Sequence, residues 1–221
     1  MMFDRSGDLC VLSTAGTIAY ENWESLFKNI LSVATFFGFR SFPDELKIKI
    51  QMCNEEEFKQ KKEEFNMNVP DYAIAFTCKI NRIFILEYRN INRWYSLNAY
   101  DAVIVHECIH VFQMYFSMIS PKQYAWLYES VACYLAKQKK AYNRENKVLW
   151  ETFIHDFYKI NDCYSLAYNF GIEIFKRFGN DILRVIRRPE AYIVELMEVY
   201  NSKILGENIK GVEDNGEYIR Y

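Results

Sequence analysis

The sequence predicts an α+β fold in which a small N-terminal α/β lobe with a strand hairpin precedes a mostly helical C-terminal lobe. Two observations indicate the first lobe. Residues 46–52 alternate apolar and polar side chains, and the runs 72–78 and 82–88 are rich in residues that favour strands. The second lobe is indicated by apolar positions with helical spacing, which dominate the chain after residue 101.

The length and composition of the chain fit one folded domain. With 221 residues, of which 51% are hydrophobic, the chain can bury a sizeable core. We therefore expect a single domain over 1–221. Its α/β part should occupy about 1–97 and the remaining helices about 98–205.

The charge balance excludes some classes of partner. The chain has 27 basic and 29 acidic residues, and this lack of a basic surplus argues against nucleic acid or a membrane surface as a partner. Six cysteines without C-x-x-C spacing suit reduced, buried thiols. Asp4 and Asp8 stand where a signal peptide would carry basic residues. A cytoplasmic protein is the expectation, and the sequence predicts no oligomeric state.

The elements of the first lobe can be read in order. Apolar spacing predicts a helix over 21–37, and Gly38 is suited to end it. After the strand at 46–52, Asn54 can cap a second helix that runs through Phe65. The two strand-like runs that follow are separated by only three residues, which predicts a hairpin.

The stretch 101–113 predicts an apolar helix that contains two of the three histidines, His106 and His110. Because they are four residues apart, they lie on one face, where both imidazoles can bind one Zn²⁺ ion at roughly 2.0–2.1 Å. Glu107 is about 100° around the helix, which suits a general base that activates water. This H-E-x-x-H pattern predicts a catalytic zinc site. The alternative is a helix with two core histidines bonded to the backbone.

A third ligand is predicted on the following helix. No histidine follows His110 at the six-residue spacing that some zinc sites use. A helix is predicted over 122–136, with Ser120 as its N-cap, and Glu129 falls on it among small and apolar residues. A buried carboxylate there must be paired, protonated or bound to a metal. We interpret Glu129 as a metal ligand. The alternative is that it forms an ion pair with Lys122.

Three segments together resemble a known family. They are His106–His110, then 126–134 (Trp-Leu-Tyr-Glu-Ser-Val-Ala-Cys-Tyr), and a third helix from 164–170 to 177–179. They resemble the gluzincin metallopeptidases of the thermolysin and M1-aminopeptidase type, and especially their small peptidase MA-like relatives. The second segment has serine where the family form has glycine. The resemblance covers roughly 72–187.

The resemblance implies a zincin-like fold with the metal in the cleft between the two lobes. It implies that His106, His110 and Glu129 bind Zn²⁺ and that Glu107 is the general base. Peptide-bond hydrolysis is the expected activity, with a peptide or protein as substrate. Two alternatives remain open, namely a zinc-binding regulatory module without turnover and a zinc hydrolase of a non-peptide substrate.

The resemblance further implies a tyrosine or histidine that stabilises the oxyanion from the C-terminal helices. Tyr164 is the first candidate, with Tyr168 and His155 behind it. Helices are predicted at about 145–158, 164–178 and 189–201, with Gly and Pro at their boundaries.

One further expectation concerns substrate binding. An extended peptide can add as a strand to an open sheet edge, and one of the runs 72–78 or 82–88 could provide that edge. An ordinary core strand is the alternative for either run.

Overall fold

The architecture was obtained from a computed structural model. It describes residues 2–3, 9–13, 23–39, 48–67, 69–70, 72–78, 81–117, 123–139 and 147–206. Within these ranges the chain is a mixed α+β fold that is mostly helical, as the sequence predicts.

A mixed sheet forms the N-terminal part. The described residues contribute five strands to it, β1 (Met2–Phe3), β2 (Leu9–Ser13), β3 (Ile48–Cys53), β4 (Ala75–Cys78) and β5 (Arg82–Leu86). Their order across the sheet is β1-β2-β3-β5-β4. The pairs β1–β2 and β4–β5 are antiparallel, whereas β2–β3 and β3–β5 are parallel. The predicted hairpin is therefore confirmed, and its first strand, β4, is a terminal strand of the described part of the sheet.

The sequence interpretation missed β1 and β2, because it began the lobe with a helix. The run Leu9–Ser13 is short and mostly apolar, so it lacks the alternation that identified β3. It pairs in parallel with β3 over its whole length. Strand pairing of this kind depends on distant residues, which a local pattern does not reveal.

Side-chain alternation divides the core between the two faces of the sheet. One face carries Ile48, Ile50, Ile83 and Ile85, all fully buried, in the same core cluster as residues of α1 (Trp23–Phe36). The other face forms a second, smaller cluster under α2 (Glu55–Glu64). Its buried members are Cys53, Phe58, Phe76, Cys78 and Phe84.

The predicted boundaries of the first two helices are largely confirmed. After α1, Gly38 has a φ of 86°, a left-handed conformation that glycine adopts without strain. Asn54 caps α2 in a capping box, since its side chain accepts from the Glu57 backbone N–H at 2.9 Å and Glu57 returns the bond at 3.1 Å. A four-residue helix, α3 (Tyr88–Ile91), then leads out of the hairpin.

The motif-bearing helix is longer than predicted. Helix α4 runs over Leu97–Ser117, 21 residues, and most of its length is buried. Helix α5 runs over Ala125–Leu135, and the predicted cap Ser120 lies outside the described residues. Among the helices that the structure describes, none combines the length and apolar character needed to cross a lipid bilayer.

The C-terminal helices are more divided than predicted. The expected helix at 145–158 is α6 (Trp150–His155) followed by a 3₁₀ turn, and the one at 189–201 begins as 3₁₀ and ends as a π-helix. The remaining helices are α7 (Cys163–Phe178), α8 (Ile182–Arg187) and α9 (Ile193–Val199). Of these, α8 was not predicted.

A cluster of aromatic side chains packs against Trp126 and holds α5 in place. Trp126 is 1% exposed and lies edge-on to Trp150, with ring centroids 5.0 Å apart. Phe153 and Phe170 also pack against Trp126, at 5.8 and 6.1 Å. Large buried rings contribute most to such a core, so this cluster fixes the helix that carries Glu129.

Helices α5 and α7 approach each other closely at one glycine. A Cβ atom on Gly171 would collide with the Ser130 backbone oxygen and lie 2.9 Å from Tyr134 Cβ. The absence of a side chain at position 171 thus provides the space for the fully buried Ser130. Ser130 stands where the resembled family has glycine, and its hydroxyl donates to the Trp126 carbonyl at 2.6 Å.

We expect Gly171→Ala to destabilise the protein by about 1–3 kcal/mol, because the new methyl group meets backbone that cannot rotate away. For a domain of this size the melting temperature should fall by roughly 2–4 °C per kcal/mol, measured by thermal unfolding. Lys176→Ala, on the exposed side of the same helix, is the control and should change stability little. Equal melting temperatures for both variants would contradict the close helix contact.

Candidate metal centre

Two histidines converge on one point from α4. His106 is 5% exposed, and its Nε2 atom lies 2.9 Å from His110 Nε2. The rings are close to perpendicular, with centroids 4.6 Å apart. This is the same-face placement that the four-residue spacing predicts.

Glu129 of α5 completes a group of three. Its Oε2 atom is 3.0 Å from His106 Nε2 and 3.6 Å from His110 Nε2. In a tetrahedral site with metal–ligand bonds of 2.0–2.1 Å, ligand atoms are about 3.3 Å apart. The observed distances bracket that value, so the three side chains could hold one metal ion.

The polar atoms of this group also need a cation. Glu129 Oε2 is buried and accepts no hydrogen bond of good geometry, and the two Nε2 atoms face each other. Three lone-pair atoms directed at one point repel one another unless a proton or a metal ion lies among them. The donor set therefore fits a divalent metal.

Gln113 orients one of the histidines. Its Oε1 atom lies 2.8 Å from His110 Nδ1, and its Nε2 atom donates to the Tyr128 carbonyl at 3.0 Å. Gln113 is 1% exposed, so both bonds are shielded from water. Because Nδ1 donates its proton to Gln113, Nε2 is the His110 nitrogen that faces Glu129 and His106 and that could bind a metal ion.

The other histidine has a weaker neighbour. Cys133 Sγ lies 3.9 Å from His106 Nδ1, a long contact between a thiol and a ring nitrogen. Cys133 belongs to α5, as Glu129 does, so this helix supplies both a candidate ligand and a contact to the opposite side of His106.

Glu107 lies beside the group and is held by the sheet. The Thr77 hydroxyl is 2.6 Å from Glu107 Oε2 and 3.1 Å from the Glu107 backbone oxygen, so its single proton goes to the nearer carboxylate. Glu107 is 8% exposed. Its negative charge helps to raise the pKa of His110, so Glu107 is electrostatically coupled to this histidine.

Two tyrosines border the group. The Tyr158 hydroxyl donates to Glu129 Oε1 at 2.7 Å, and the ring of Tyr164 is 6.3 Å from that of His106. The hydroxyl ends of both side chains are withdrawn from water, which raises the pKa of both phenols well above the ordinary value, and the negative charge of Glu129 raises it further. Both hydroxyls are therefore protonated and able to donate at neutral pH.

The predicted site residues fall into two sets. His106, His110 and Glu129 are brought together, with Glu107 and Tyr164 next to them. Tyr168 is half-buried and packs against the core, whereas His155 is exposed at the end of α6; neither belongs to the group of three described residues that could hold a metal ion.

Three contact residues were missed by sequence reasoning. Gln113 follows His110 by three residues on one helix, so helical spacing alone could have identified it. Thr77 and Tyr158 are 30 and 29 residues from their partners, Glu107 and Glu129, and no local signal identifies either.

In the metal-free protein, burial would lower the pKa of His110, but the adjacent Glu129 carboxylate outweighs burial and raises it to about 9. Burial would likewise raise the pKa of Glu129, but the positive charge of His110 and the close approach of both histidine Nε2 atoms hold it well below its ordinary value. Without metal, the two residues thus form a buried ion pair.

The raised pKa predicts how stability depends on pH after metal removal. His110 binds its proton more tightly in the folded state than in the unfolded state. The resulting stabilisation of the folded state is complete below pH 6.5 and is lost as pH rises through 9. We expect chelator-treated protein to lose at most about 3 kcal/mol between pH 6.5 and 9.5, measured by urea unfolding. His110→Gln should flatten this dependence and His155→Gln, at an exposed position, should not. The same slope in both variants would contradict the ion pair.

Comparison with family models finds no match to the chain, and comparison with curated proteins finds none either.

Proposed function

We propose that this protein is a zinc-dependent peptidase, in which water hydrolyses the peptide bond. One observation carries the proposal. Glu107, a buried carboxylate held by Thr77, lies directly after one histidine of the candidate metal centre. A centre that only holds a metal needs ligands, whereas a hydrolytic centre also needs a base beside them.

Zinc is the metal favoured by the donor set. Two imidazole nitrogens and one carboxylate oxygen, in His106, His110 and Glu129, form a ligand set used by catalytic zinc sites. Three protein ligands leave one position open, as catalysis requires. Bound there, zinc would supply Lewis-acid chemistry, which lowers the pKa of water and polarises a carbonyl group.

The protein's own side chains would move the proton. Glu107 accepts it from the attacking water and then delivers it to the leaving amine nitrogen, while Thr77 keeps the carboxylate oriented. Tyr164, whose phenol is protonated and lies beside His106, would donate a hydrogen bond to the developing oxyanion.

The position of β4 supports a peptide as the substrate. In the described part of the sheet no strand lies beyond β4, so its outer edge can pair with an extended peptide. Thr77 belongs to β4 and contacts Glu107. A peptide bound along this edge would pass close to the general base.

A zincin-like fold is part of the proposal. Its support is the α+β architecture with a terminal antiparallel strand beside the motif helix, together with the resemblance of segments 106–110 and 126–134 to gluzincins. The metal would then lie between the sheet edge that carries Thr77 and the helices that carry Glu129 and Tyr158.

The test is cleavage of fluorogenic peptides by protein loaded with one equivalent of zinc. We expect turnover that a chelator abolishes and added zinc restores. If the zinc-loaded protein cleaves esters or other amides but no peptide, it is a zinc hydrolase of another substrate and not a peptidase. If the zinc-loaded protein hydrolyses none of these substrates, the result supports a zinc-binding module without turnover. If the protein takes up no zinc, the proposal is wrong.

A further inference from the structure

Tyr158 is fixed by its neighbours in the chain. It lies in the 3₁₀ turn Phe157–Lys159, which is closed by a bond from the Ile160 N–H to the Phe157 carbonyl at 3.1 Å. Phe157 is 3% exposed and packs edge-on to Phe153 of the aromatic cluster, with centroids 5.7 Å apart. The backbone that carries Tyr158 is therefore anchored in the core, although the tyrosine itself is 49% exposed.

The Tyr158 phenol distinguishes the two oxygens of Glu129. It donates to Oε1 at 2.7 Å, while Oε2 is the oxygen that faces His106 Nε2 and His110 Nε2. Without such a donor, a carboxylate beside a metal can bind through both oxygens, because each carries free lone pairs. A strong hydrogen bond to Oε1 competes with the second metal bond.

We propose that Tyr158 is a positioning residue that restricts Glu129 to one-oxygen binding of the metal through Oε2. The inference rests on the proposed zinc site and names a residue that controls its coordination number. With Oε1 held by the phenol, Glu129 occupies one coordination position instead of two. The remaining space is then available for water and for the substrate carbonyl.

The contact is well suited to this role because it joins two different elements. Glu129 is on α5, whereas Tyr158 is in the turn before α7. The exposed face of the Tyr158 ring borders solvent while its hydroxyl reaches a carboxylate that is 6% exposed. Loss of the hydroxyl alone removes no core packing, so Tyr158→Phe should fold normally.

The experiment uses cobalt in place of zinc, because Co²⁺ absorbs visible light and its absorption weakens when coordination rises from four to five. Wild type, Tyr158→Phe and the matched control Tyr168→Phe are saturated with one equivalent of Co²⁺, and their visible spectra are compared. Far-UV circular dichroism confirms that all three are folded. We expect a loss of visible intensity in Tyr158→Phe only.

Each outcome decides between the two claims. If wild type takes up one cobalt ion and Tyr158→Phe has the wild-type spectrum, the positioning role is wrong and the metal site stands. The role is also wrong if Tyr168→Phe changes the spectrum equally, since the effect would then not depend on the Glu129 contact. If wild type binds neither cobalt nor zinc, the proposed site fails, and this inference fails with it.

Discussion

A Glu107→Gln variant is expected to bind zinc as the wild type does and to lose about 10²–10⁴-fold in kcat/KM. Glutamine has almost the same shape as glutamate but cannot accept the proton of the attacking water. The amide oxygen can still accept the Thr77 hydrogen bond that now holds Glu107 Oε2, so the local structure should survive. Glu107 is outside the three-residue metal group, so metal content should not fall.

The measurement compares peptide cleavage and metal content in the same preparations. Glu151→Gln, an exposed glutamate in the first turn of α6, makes the same chemical change away from the metal centre and should leave both values unchanged. Full activity in Glu107→Gln would assign the base to another group. Loss of zinc together with activity would indicate a structural effect and leave the role of the base without support.

The candidate metal centre was predictable where the relevant geometry is local. His106, Glu107 and His110 belong to one helix, and its 3.6-residue period alone determines which side chains share a face. Glu129 is on another helix, yet its burial among apolar neighbours already required a partner for the carboxylate. These residues could therefore be named before the fold was known.

The contacts that orient the centre were not predictable. Thr77 reaches Glu107 because β4 packs beside α4, and Tyr158 reaches Glu129 because the turn before α7 lies next to α5. Both depend on how distant elements pack. The same limit applies to β2, whose place in the sheet depends on pairing with β3, a strand from another part of the chain.

Removal of any one of the three proposed ligands should abolish metal binding. Glu129→Ala and His110→Ala each leave two of three ligand atoms, so zinc affinity should fall by more than the 10–100-fold that outer-shell changes typically cost. Wild-type protein purified with zinc should contain about one ion per chain, and both variants should contain almost none, measured by mass spectrometry.

Thermal unfolding separates loss of the ligand from loss of the fold. Zinc at about 100 times its Kd stabilises the folded state by roughly 2.7 kcal/mol, which for a chain of this size raises the melting temperature by about 5–10 °C. Wild type and Glu107→Gln should both show this rise, whereas Glu129→Ala and His110→Ala should melt cooperatively but show none. A zinc-dependent rise in Glu129→Ala equal to that of wild type would mean that its carboxylate is not a ligand. The buried, unsatisfied Oε2 atom would then require another cation to account for it.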